Sequence, residues 1–175
     1  MSQVIRKYPL GNFADLTTPT ATQNPAYKLG DEVAMWDGDY KARKVFKYVY
    51  SGIGLTQYGA YQITNSGVAG TEVQSVAFTS GFATIPGPLV GITPVTVTSG
   101  YYCFLQTEGH CTGLIAATST NVAGCACLTA AASASLVGST ATTPLTSTVA
   151  YYVSGTSGAS GVMYLPGGVP RIITT

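Results

Sequence analysis

Few side chains in this sequence could do chemistry. The single histidine, His110, is the one general base that titrates near neutral pH, and one histidine cannot build a multi-histidine metal site. His110 is followed by Cys111, but neighbours on a strand point to opposite faces, so the two cannot form a nucleophile and base dyad with each other. Pairing with Cys103 or a serine through the fold stays open, yet no Gly-x-Ser-x-Gly elbow accompanies it.

The four cysteines stand at 103, 111, 125 and 127. If Glu108-Gly109 forms a two-residue turn, Cys103 and Cys111 fall on different faces. If the strand runs straight through, eight residues at about 3.3 Å each put them beyond the roughly 7 Å that a disulfide spans. Neither register bridges them. Cys125 and Cys127 lack the paired Cys-x-x-Cys spacing of common zinc sites, so small buried thiols in a reducing cytoplasm are expected. Asp37 and Asp39 are too few for a calcium loop, which needs six or more oxygens, and they read as turn formers. Gly52-Ile53-Gly54 lacks the third glycine of a dinucleotide loop. No catalytic residue, no metal and no cofactor are expected, and an enzyme such as a Cys/His hydrolase is the weaker reading.

The elements around these residues read as strands. Leu29 to Trp36 and Tyr40 to Tyr50 flank Asp37-Gly38-Asp39, a hairpin signal, with Phe46, Tyr48 and Tyr50 on one face and Lys47 on the other. Further β-branched and aromatic runs follow at Glu72 to Thr79, Val95 to Thr98, Tyr101 to Thr107, Cys111 to Ala117, Thr148 to Ser154 and Gly161 to Leu165. Short strands divided by Gly and Pro predict an all-β fold, a small β-sandwich or β-barrel domain. Only Leu128 to Val137, with four alanines, could hold a turn of helix, and Thr129, Ser133 and Ser135 argue against it.

Residues 1 to 27 differ from the rest. Pro9, Pro19 and Pro25 forbid a useful helix there, so an extended N-terminal arm is expected ahead of a β-rich domain over 28 to 175. Its apolar residues Val4, Ile5, Tyr8, Leu10 and Phe13 are too many for a solvated tail and are the candidate contacts to a neighbouring protein or subunit, with strand addition to a partner's sheet as one way to dock.

Composition narrows the function. Charged residues are 9% of the 175, while Gly, Ala, Ser and Thr supply 80, against about 25% charged in an ordinary domain. Seven of the eight basic and five of the seven acidic residues lie within 1 to 47. A net charge of +1 gives no footprint for nucleic acid or anionic lipid. No apolar run approaches the roughly 18 to 20 residues of a membrane span, and no signal peptide is read at the start. A mean hydropathy of +0.27 with abundant tyrosine argues for folding. A surface so poor in charge associates readily, which points to an obligate oligomer or a part of a larger assembly.

The run Gly100-Tyr-Tyr-Cys-Phe-Leu-Gln-Thr-Glu-Gly109, with Gly30-Asp-Glu-Val33, Asp37-Gly38 and Phe46-Lys-Tyr-Val49, resembles the tailed-phage capsid decoration, or cement, proteins over residues 28 to 109. The resemblance implies a β domain, often a homotrimer, that is made in the host cytoplasm and sits on the outer surface of an icosahedral capsid. Its partners would be the major capsid protein and its own copies, and it would brace adjacent capsomers. A head or tail fibre, or a receptor-binding module of a phage particle, is the alternative.

Overall fold

The computed structural model describes residue 19 and residues 27–64, 74–76, 89–115, 126–129, 134–138, 150–155 and 158–167. The first pair of strands is β1 (Glu32–Asp37) with β2 (Ala42–Ser51), then come β3 (Ala60–Thr64), β4 (Gln74–Val76) and β5 (Leu89–Ile92). They are followed by the long β6 (Tyr102–Leu114), β7 (Ala126–Thr129), β8 (Leu136–Gly138), β9 (Ala150–Gly155) and β10 (Ser160–Pro166). All ten join one sheet in the order β1-β2-β4-β3-β5-β6-β10-β9-β7-β8, with β2 also paired to β6. That extra pairing closes β2, β4, β3, β5 and β6 into a ring, a five-stranded barrel, and leaves β10, β9, β7 and β8 as a wing. The all-β expectation holds, and the described residues contain no helix.

Closure explains the burial pattern. The first half of β6 pairs with β2, from Tyr50↔Tyr102 to Val45↔Glu108, and both faces of this ribbon are covered. Val49, Cys103 and Leu105 turn inward onto Tyr61, Ile63, Leu55 and Val97. Phe46, Tyr48, Tyr102 and Phe104 turn outward under Tyr27, Leu29 and Met35. Strands buried on both faces lose strict alternation, and residues 102 to 107 are buried without a break. Beyond residue 107 the same strand pairs with β10 and alternates, its odd side facing a third cluster of Ile92, Cys111, Ile115, Leu136, Tyr152 and Met163.

Several local expectations change. Glu108-Gly109 is no turn, since β6 runs through it. Gly109 instead takes φ +89°, and a Cβ there would strike the carbonyl oxygen of Arg43, so this kink where β6 passes from β2 to β10 requires glycine. Gln106 stabilises the kink, its Nε2 donating to the carbonyls of Glu108 (3.0 Å) and His110 (2.8 Å). The first hairpin forms as expected, but Asp37 pairs with Ala42. Its loop is therefore Gly38 to Lys41, and the left-handed residue is Lys41, φ 48°. The run Val95 to Thr98 makes a single bridge, Val97 with Leu55, because Thr93 Oγ1 donates to the Val95 carbonyl (2.6 Å) and folds the chain into a turn. The ends of the alanine-rich stretch are β7 and β8; residues 130–133 lie outside the described residues, as do the arm residues Val4, Ile5, Tyr8, Leu10 and Phe13.

Candidate interaction surface

His110 and Cys111 diverge, as alternation along β6 requires. Cys111 packs in the cluster with Met163, while His110 faces outward between two tyrosines. Cys103 lies in the barrel interior. Cys103 and Cys111 are both buried and neither is in a disulfide, and desolvation pushes Cys103 up to about 12, which disfavours its thiolate. Cys125 lies outside the described residues, and Cys127 falls on β7. Among the described residues no three His, Cys, Asp or Glu side chains converge as a metal site, and no helix is long and apolar enough to cross a membrane.

What the fold does assemble is a row of aromatic rings. On β10, Tyr164 stands opposite His110 of β6 and opposite Tyr151 of β9. The His110 and Tyr164 ring centroids lie 5.2 Å apart at 60°. From the first hairpin, Tyr40 stacks on His110 with centroids 4.1 Å apart and planes 9° from parallel. Three of these rings remain open to solvent: Tyr40 is 43% exposed, Tyr151 41% and Tyr164 37%. Among the described residues, Trp36 on β1 is the most exposed large hydrophobic side chain at 67%.

A rigid loop carries Tyr40 into the row. The Asp39 N–H donates to Asp37 Oδ1 (3.0 Å), and the Lys44 ammonium lies 2.7 Å from Asp37 Oδ2. Lys44, helped by backbone N–H groups of Asp39 and Tyr40, holds the buried Asp37 carboxyl below its ordinary value of 3.8 against the opposing pull of desolvation. Arg43 to Glu108 (3.8 Å) and Lys47 to Glu32 (3.3 Å) are further ion pairs. Five of the nine charged residues between 27 and 47 are thus spent on each other and on β6.

A half-open cleft of ≈ 380 Å³ lies nearby, lined by Lys44, Gln57, Tyr58, Gln106 and Thr112 among others. Its one charged group, Lys44, is already paired with Asp37, and the cleft presents no carboxylate or histidine for proton transfer. Sequence reasoning singled out His110 but missed the row. The available signal was aromatic residues at the outward positions Tyr151 and Tyr164, yet cross-strand registers over such separations cannot be read from spacing.

No protein-family model and no curated protein matches the chain. Among solved structures, the fold is similar to the head fibre gp8.5 N base of bacteriophage phi29, with a TM-score of 0.50 and 13% sequence identity. The match covers 73% of this chain and 98% of that chain. The likeness is thus to a head fibre base rather than to a decoration protein, and at that identity what the two chains share is the fold.

Proposed function

We propose that this chain is a structural, non-enzymatic protein of a phage particle, mounted on the outside of the head as the base of a head fibre. The observation that carries this is the fold likeness, which takes in nearly the whole of the phi29 head-fibre base chain. The charge-poor composition supports it, because such surfaces are stable when covered by other protein. In this reading the major capsid protein is the partner, reached through Val4, Ile5, Tyr8, Leu10 and Phe13 of the arm, and copies of the chain associate, with a trimer as the expected unit. Single contacts of about 800 Å² per partner would be modest, and linking several gains affinity through effective concentration.

Bracing of capsomers by a decoration protein is the second reading, favoured by the glycine-flanked run 100 to 109. The test is antibody labelling of purified particles by electron microscopy, combined with heating of heads that lack the chain. Label where projecting fibres meet the shell, with genome release unchanged on heating, supports the fibre base. Uniform label over the shell with genome release at lower temperature supports bracing, and unlabelled heads overturn both.

A further inference from the structure

We propose that His110 and Tyr40 form a proton-sensitive latch between the first hairpin and the wing, closed while the imidazole is neutral and released when it takes up a proton. The Tyr40 ring lies flat on His110, with centroids 4.1 Å apart and planes 9° from parallel, and Tyr164 of β10 meets the imidazole in an edge contact at 5.2 Å and 60°. Within this packing His110 Nδ1 is buried and has no hydrogen-bond partner. A neutral ring tolerates that, because its one proton can sit on Nε2 and leave Nδ1 a bare lone pair. An imidazolium does not, because both nitrogens then carry a proton, and a buried charged donor without an acceptor is costly. The charged ring must turn Nδ1 towards water, and Tyr40, stacked against its face, stands in the way of that turn.

The groups around the ring set the direction of the effect. On β6, Glu108 stands two positions before His110 and has its carboxylate beside Arg43 of the hairpin, at 3.8 Å. Lys44 of the hairpin is paired with Asp37 at 2.7 Å, and Asp39 and Lys41, on either side of Tyr40 in the chain, carry opposite charges. At this register β10 and β9 bring the phenols of Tyr164 and Tyr151 and no carboxylate. The tyrosine faces attract a cation, but that attraction leaves Nδ1–H without an acceptor. The movement is confined to side chains. The hairpin turn stays pinned, because Asp37 Oδ1 accepts from the Asp39 N–H (3.0 Å), and the His110 backbone stays held by Gln106, whose Nε2 donates to the His110 carbonyl (2.8 Å). Tyr40 is already 43% exposed, so it gives up little packing when it swings away. Release takes up a proton, and linkage makes it up to about tenfold more favourable for each unit by which pH falls below about 6.5, the value of a free imidazole.

The test uses the purified full chain, and so stands apart from whether the chain sits on a phage head. His110 is the only histidine, so its ring protons are read directly by NMR. At about pH 7.5 they should show cross-relaxation with the Tyr40 ring and the ring-current shift of a stack. At about pH 5.5, still above the range near 4 where ordinary carboxylates titrate, both should be lost. In His110→Phe and His110→Tyr, where an aromatic ring remains and no imidazole titrates, the contact between ring 110 and Tyr40 should persist at both pH values. Denaturation midpoints close to that of wild type establish that the variants fold. Cross-relaxation that persists in the wild-type chain at about pH 5.5 overturns the proposal, whether or not the ring has taken up its proton. Loss of the contact in both variants over the same pH step would assign the release to another group and overturn it equally.

Discussion

At the scale of single residues, most of the sequence's apparent chemistry turns out to serve structure. Asp37, which could be mistaken for half of a metal loop, pins the first hairpin through Lys44. A carboxyl held below its ordinary value of 3.8 contributes stability that is fully present above that value and is lost as pH falls through its folded value. Asp37→Asn should therefore lower the denaturation midpoint at about pH 6, and the difference from wild type should shrink as pH is taken down to about pH 2. Cys103, pushed up to about 12, should resist iodoacetamide at about pH 8 in the native protein and react once it is unfolded, read by mass spectrometry. Gly109→Ala should cost ~2 kcal/mol or more by denaturant unfolding, since it adds a Cβ at φ +89° against the Arg43 carbonyl. The buried-thiol reading was available from the sequence for Cys103 and Cys111. The need for glycine at 109 was visible only as a choice between turn and strand, because the clash arises from β2, more than sixty residues away.

At the scale of elements, β6 is the central element: it closes the barrel with β2 and founds the wing with β10. Leu105, fully buried in the barrel interior, should lose ~2–5 kcal/mol on truncation to alanine in equilibrium unfolding. The alternation of β2 was legible, with Phe46, Tyr48 and Tyr50 on one face as read. The unity of β6 was not, because a glycine inside an aromatic run has the same local signature whether the chain reverses or kinks. Nor was the closure of the ring, which rests on a parallel pairing of Tyr50 with Gln74 and a single Ile92 to Gln106 pairing. Such long-range contacts leave no periodicity behind. The aromatic row belongs with these features, since Tyr40, His110 and Tyr164 meet only once the first hairpin, β6 and β10 have found their register.

At the scale of the whole molecule, the proposed role would bury a β barrel with a β wing and little charge among copies of itself and a shell. Composition alone reached the idea of an assembly component, and the proposed place at a head fibre rests on a fold similar to that of a phage head-fibre base. The most direct measurement is the ratio of this chain to the major capsid protein in purified particles, by quantitative mass spectrometry. The account predicts that the chain is present on heads at well below one copy per capsid subunit. Its absence from every particle fraction would contradict a place on the phage head altogether.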